Sequence, residues 1–199
     1  MIQNVLWNSG FKKEIADSKI NVFYGYNTLK KTDTISFSHY YLNQILSEYL
    51  EKKIISSDIC RNIYNKPYIK NADIYFNLSH SQNAFLISVS KYESGIDIED
   101  NSLDINYLGC MNYAFSDEEL KYCNIDTSNN FFEVWTLKEA YLKAIGIGLT
   151  DNLKQINCLD NIIYENREMK HISFYSPKNE ICSLVYSSNI NHLQFIEIA

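Results

Sequence analysis

The run NFFEVWTLKEAYLKAIGIG, beginning at Asn130, is the strongest local constraint in the chain. Its spacing predicts a long helix over about Asn130 to Ile145, with Gly146 as the residue just past its end. On that helix Thr136, Glu139 and Lys143 share one face, while Trp135 and Leu142 share the other. So much apolar surface (Phe131, Phe132, Val134, Trp135, Leu142, Ile145) has to be seated on a core. Glu139 and Lys143, one turn apart, are either a solvated ion pair or part of a site, and spacing alone leaves both readings open.

The rest of the chain supplies a second helix and many short strands. SFSHYYLNQILSEYLEKK places Tyr41, Leu42, Ile45, Leu46, Tyr49 and Leu50 at helical spacing, with Ser38 as a cap. INVFYGY reads as a strand and NVLW as another; DIYFNLS and NAFLISVS flank an SHSQ turn; SGIDIED alternates. SDEELKY opens with a capping box, Ser116 to Glu119. NIIYEN, KHISFYS, ICSLVYSS and HLQFIEIA read as four more strands, with SPKNE a turn. Each half of the chain thus offers a long helix plus an antiparallel sheet, an α+β reading.

Composition excludes several classes. The 199 residues are 46% hydrophobic and 21% charged, as in an ordinary globular protein of one large domain or two small packed halves. A net charge of −6 argues against general nucleic-acid binding. No signal peptide and no membrane-spanning apolar run is visible, so a cytoplasmic protein with no membrane partner is expected. The odd count of five cysteines, with no CxxC, points to reduced thiols rather than disulfides or zinc.

Four motifs could carry chemistry. In GIDIED, Asp97 and Glu99 point to one face of a strand and Ile96 and Ile98 to the other; this is either a plain half-exposed strand or a carboxylate pair that holds a cation. Glu139 would add a third carboxylate, which suits Mg²⁺, an ion that takes few protein carboxylates and leaves positions for phosphate oxygens. Lys143 beside them would attract a phosphate. In FNLSHS, Ser79 and His80 are adjacent; a Ser-His hydrolase dyad finds no G-x-S-x-G elbow to support it, and a strand-end histidine is more often a capping or phosphate-contacting group. In NKPYI, Lys66 is held extended by Pro67, either as an exposed turn lysine or as a contact.

Taken in order, NKPYI, FNLSHS, GIDIED and WTLKEAYLKAIGIGL resemble the 4′-phosphopantetheinyl transferase superfamily in its larger, surfactin-synthetase-activating type. The resemblance covers about residues 61 to 150. It implies two similar α+β halves related by a pseudo-twofold axis, here residues 1–93 and 94–199, in a monomer that binds coenzyme A in the cleft between them. It implies transfer of the 4′-phosphopantetheine group from coenzyme A to a serine of an apo acyl or peptidyl carrier protein, releasing adenosine 3′,5′-bisphosphate. Asp97, Glu99 and Glu139 match the ligands of Mg²⁺, with Mn²⁺ as the alternative. Glu139, with Glu99 as rival, matches the base, and Lys143 the pyrophosphate contact. Lys66, Ser79 and His80 match contacts to the nucleotide, and Lys138 a supporting position. A relative that binds coenzyme A or carrier without efficient transfer is the rival reading.

Two departures stand out. Asn65 replaces the glycine that precedes Lys66 in the family pattern. The arginine usual at the start of the first long helix is missing; His39 falls nearest, with Lys30 and Lys31 upstream, so weaker recognition of the 3′-phosphate is expected. Docking of a carrier is expected through Tyr107, Leu108 and Met111, unless these side chains pack a helix core instead.

Overall fold

A computed structural model describes residues 1–10, 17–28, 33–102, 106–124, 127–148, 153–160, 162–164 and 167–198. The first part of the chain forms β1 (Trp7–Ser9), β2 (Lys19–Tyr26), α1 (Thr34–Leu50), β3 (Ile59–Arg61), β4 (Pro67–Ile69), β5 (Tyr75–His80) and β6 (Ala84–Ser90). The second forms β7 (Ser94–Glu99), α2 (Tyr107–Ala114), α3 (Asp117–Cys123), α4 (Thr127–Ile145), β8 (Ile162–Tyr164), β9 (Arg167–Tyr175), β10 (Ile181–Ser187) and β11 (His192–Glu197). The α+β expectation is met, but the expected antiparallel sheet of the first half is mixed, because β11 comes over from the second part of the chain and runs parallel to both β1 and β2. NVLW is strand only from Trp7 onward, the other expected strands are present, and β3 and β4 are additions that no pattern announced. Ser38 does not cap α1: Asp33 does, accepting from the Ser36 N–H, and Ser38 lies buried one turn inside, bonded to the Ile35 carbonyl. Lys30 and Lys31 lie outside the described residues.

Among the described residues the strands make a five-stranded sheet, β1-β11-β2-β6-β5, a four-stranded sheet, β7-β10-β9-β8, and the β3-β4 hairpin. Strand alternation gives each large sheet two apolar faces. Ile20, Val22, Tyr24 and Leu86 of the first meet Ile96, Ile98, Cys182 and Leu184 of the second in one core. The opposite face of the first sheet, with Phe23, Phe76, Phe85 and Ile87, is covered by Leu42, Ile45, Leu46 and Tyr49 of α1. The opposite face of the second, with Ile181 and Val185, is covered by α4 and then by α2 and α3. The layers therefore run helix, sheet, sheet, helix, and hydrophobic burial at every interface holds them together.

Two anchors fix how α4 lies. On β7, Gly95 has no side chain, and a Cβ there would sit 2.0 Å from the Ala140 carbonyl oxygen and 2.3 Å from the Ala144 nitrogen. Helix backbone rests directly on strand backbone at this point. On the far side of the helix, Lys138 is 2% exposed and pairs with the fully buried Glu119 at 2.8 Å. Lys138 also donates to the Leu153 and Ile156 carbonyls, while Glu119 accepts from the Cys158 N–H and closes the expected capping box with Ser116. A buried pair is costly unless its remaining bonding capacity is met, and here it is. Lys138 is thus a support for the helix, as its phase suggested.

Gly95→Ala should destabilise the protein by about 3 kcal/mol or more, because the added methyl meets rigid helix backbone. Urea unfolding monitored by circular dichroism measures this; a loss below about 1 kcal/mol would mean that α4 can step away from β7 freely.

Candidate active site

Lys143 and Glu139 project from the last turns of α4 toward β7. Lys143 Nζ lies 2.6 Å from Asp97 Oδ1 and 2.9 Å from Ser79 Oγ, and the Ser79 hydroxyl donates to the same Asp97 oxygen at 2.7 Å. Asp97 is 4% exposed, and its other oxygen, Oδ2, is buried with no hydrogen-bond partner. Ser79 and Asn77 occupy the face of β5 that turns to β7, and the Asn77 side-chain oxygen accepts from the Ile96 N–H at 3.2 Å. FNLSHS is therefore the seam joining the two sheets at their β5 and β7 edges. His80, one residue on, points to the opposite face and is exposed. Ser79 bonds to Asp97 and Lys143, and no Ser79–His80 bond forms among the described contacts, so the hydrolase dyad finds no support in the geometry.

The three carboxylates crowd one another. Burial, the Asp97 charge and Glu139 together push Glu99 up to about 7, against the pull of the Trp135 hydrogen bond and of Lys143. Burial and then Asp97 also raise Glu139 above the ordinary carboxylate range, with Lys143 opposing. Among the described residues no three His, Cys, Asp or Glu side chains form a ready-made metal cage. The donors nonetheless fit a hard divalent cation: an orphaned buried carboxylate oxygen and two neighbouring carboxylates whose charge is disfavoured until a cation shares it.

A cavity of about 430 Å³ opens beside these residues. Glu139, Leu142 and Lys143 form one wall; His39 of α1, Arg61 and Lys66 of the β3-β4 hairpin, and Asn77 and His80 of β5 form the others. Lys66 is not a free turn lysine. Its Nζ donates to the Ala144 carbonyl at 2.6 Å, capping α4 where the helix dipole is negative, and burial pulls it down to about 8. Gly146 ends α4 at φ +72°, and a Cβ there would lie 2.7 Å from Lys66 Cδ. Asn65 takes φ +71°, so the turn survives the loss of glycine as expected of asparagine. Burial and then the charges of Arg61 and His80 hold His39 below the ordinary histidine range.

Arg61 is the residue that sequence reasoning missed. Only the β3-β4 register, which pairs Arg61 with Pro67, brings it into the cavity wall, and a three-residue strand leaves no periodic signal. The residues expected to dock a partner divide. Met111 is 4% exposed and Tyr107 packs edge-on against Phe131, whereas Leu108 is 70% and Tyr113 59% exposed on α2.

Glu99 holds a proton in the folded state that the unfolded chain has lost between about pH 4.5 and 7, so stability of the metal-free protein falls as pH rises through that window and levels off above it. In Glu99→Gln the thermal midpoint measured in a chelator between about pH 5 and 8 should fall less steeply, leaving the part that the raised Glu139 contributes in the same direction; a slope as steep as the wild type's would assign it to another group.

Residues 93–182 match a family model described as the 4′-phosphopantetheinyl transferase superfamily. This stretch holds Asp97, Glu99, Glu139 and Lys143. Among relatives, the 4′-phosphopantetheinyl transferase gsp of Aneurinibacillus migulanus is 32% identical over 156 residues, 69% of this chain and 64% of that protein. The L-aminoadipate-semialdehyde dehydrogenase-phosphopantetheinyl transferase of Candida glabrata is 27% identical over 176 residues, 76% of this chain and 68% of the relative. A 4′-phosphopantetheinyl transferase of Bacillus subtilis is 34% identical over 91 residues, 44% and 40% of the two chains. The chain spans 64% of the Aneurinibacillus protein's length, a little under two thirds.

Proposed function

Because the chain belongs to the 4′-phosphopantetheinyl transferase superfamily, we propose that it transfers 4′-phosphopantetheine from coenzyme A to a serine of an apo acyl or peptidyl carrier protein. The observation that carries this reading is the Lys143–Asp97 ion pair, with the Glu99 and Glu139 charges acting on it, beside a cavity that Lys143 and Glu139 line together with residues of both parts of the chain. An ammonium beside clustered carboxylates, open to a space lined by Arg61, Lys66 and His80, suits a pyrophosphate.

In this reading the carrier serine oxygen attacks the phosphorus next to pantetheine, and the bond from that phosphorus to the adenosine 5′-phosphate oxygen breaks. The product is a serine phosphodiester, and adenosine 3′,5′-bisphosphate leaves. Glu139 takes the serine proton, directly or through water; its raised pKa brings it nearer the proton it must accept. Glu99 is the rival base. Lys143 stabilises the leaving phosphate oxygens, and Ser79 keeps both Lys143 and Asp97 oriented. A Mg²⁺ or Mn²⁺ ion held by Asp97, Glu99 and Glu139 would supply neutralisation of the pyrophosphate charge.

The nucleotide end lies toward the hairpin wall. Arg61 reaches that wall from β3 and compensates for the arginine that α1 lacks, with His39 and His80 beside it; Lys66 acts chiefly through its cap on α4. This revises the expectation of weak 3′-phosphate recognition. The carrier docks on α2 through Leu108 and Tyr113 rather than Tyr107 and Met111. The protein works as a cytoplasmic monomer whose two α+β halves, 1–93 and 94–199, are related by a pseudo-twofold axis. No helix among the described residues is long and apolar enough to cross a membrane, and all five cysteines are unpaired, which supports the cytoplasmic reading.

Incubation with a panel of apo carriers, coenzyme A and Mg²⁺ should add the phosphopantetheine mass to at least one carrier. Coenzyme A binding without any mass gain would favour a binding-only protein. Glu139→Gln should lower kcat by about 100-fold or more with the fold intact; near-normal turnover would pass the role of base to Glu99. Arg61→Ala should raise KM for coenzyme A about tenfold more than for 3′-dephospho-coenzyme A; equal effects on both donors would remove Arg61 from the 3′-phosphate.

A further inference from the structure

Lys143 is paired with the same carboxylate that a divalent cation would share. Its ammonium is 2.6 Å from Asp97 Oδ1, the oxygen that also accepts from Ser79, and it is the positive charge that acts on both Glu99 and Glu139. Asp97 Oδ2, on the same carboxylate, has no partner at all although it is buried. An ammonium at hydrogen-bond distance and a doubly charged ion on one carboxylate repel each other strongly in a water-poor site. The two members of the pair also differ in freedom. The Lys143 side chain is 29% exposed and borders the cavity, whereas that of Asp97 is 5% exposed on β7, between α4 and β5. Lys143 is the one that can move, and the cavity it lines is open space beside it.

We propose that Lys143 is an exchangeable counter-ion: it neutralises Asp97 in the metal-free protein, leaves Asp97 when a divalent cation arrives, and turns its ammonium into the cavity toward an anionic ligand. The cation and the anion are then coupled through one lysine, since each favours the displaced position. The identity of the anion as a pyrophosphate rests on the transferase reading; the exchange itself does not.

Two measurements on the full chain test this without turnover. Calorimetry with Mn²⁺ alone should show Lys143→Met binding the ion about tenfold more tightly than the wild type, with thermal unfolding confirming that the variant is folded. Brief acetylation of the wild type, read by mass spectrometry, should show Lys143 labelled several-fold faster on addition of Mg²⁺, with the other lysines unchanged. Cation binding that leaves Lys143 labelling unchanged, or lowers it, overturns the exchange even if Lys143→Met binds Mn²⁺ more tightly, because deleting a nearby charge would do that alone. Absence of cation binding to both proteins overturns it as well. If Lys143→Met does not fold, the wild-type labelling decides. Carrier modification is scored separately, so failure of the transferase reading would leave the labelling result standing.

Discussion

The contact of helix backbone on strand backbone at Gly95 sets the position of everything chemical in this protein. Ala140 and Ala144, one turn apart, are the helix residues that meet it. With α4 that close, a lysine one residue before Ala144 reaches a carboxylate two residues after Gly95. The other fixings of α4 act on different degrees of freedom. Lys138 and Glu119 oppose rotation about the helix axis, and Lys66 with Gly146 sets where the helix stops. Polar bonds from Thr136 to Ser183 and on to Ser173 hold the middle of the helix to the second sheet.

An acidic chain presents a cationic cavity by concentrating what little positive charge it can place there. Net charge is −6 and arginine occurs only twice, yet Arg61, Lys66 and Lys143 all border one space, with Glu139 as the acid among them. Overall charge governs solubility and long-range attraction, whereas the local set decides what the cavity will hold. The crowding of Asp97, Glu99 and Glu139 is the kind of local conflict that a purely structural strand-and-helix contact would have eliminated. Its presence where two sheets and a helix converge is what singles this place out as the candidate site.

Much of this was readable from residue order alone, and the limits have physical causes. Alternation in INVFYGY and NAFLISVS, and the capping box at Ser116, are local signals, and local structure followed them. The cap of α1 went to Asp33 instead of Ser38 because an acidic side chain one turn upstream was free to bond the first N–H groups. For the candidate site, GIDIED and the α4 face supplied residues that the fold brings together, Asp97 and Lys143, but spacing could not decide between a solvated pair and a buried one. That depends on Gly95 letting the helix descend, which is a tertiary fact. Arg61 stayed hidden because a three-residue strand has no period, and Lys66 was legible as a position while its bond to the end of α4 was not. Met111 and Leu108 differ in exposure only because α2 presents one flank to Phe131 and the other to solvent.

The placement of β11 has a consequence for how the molecule comes into being. It lies in the interior of the first sheet, parallel to both neighbours, with β1 on one side and β2 on the other. Tyr24 and Glu197, so distant along the chain, are direct partners across that ladder. A nascent chain that has emerged only as far as β6 therefore carries a sheet with an open slot next to β2. The slot remains until β11 has been made. Pairings of such sequence separation close late and slowly. The sheet that carries Asn77 and His80 is consequently completed only when β11, synthesised long after β2 and β6, takes its place between β1 and β2.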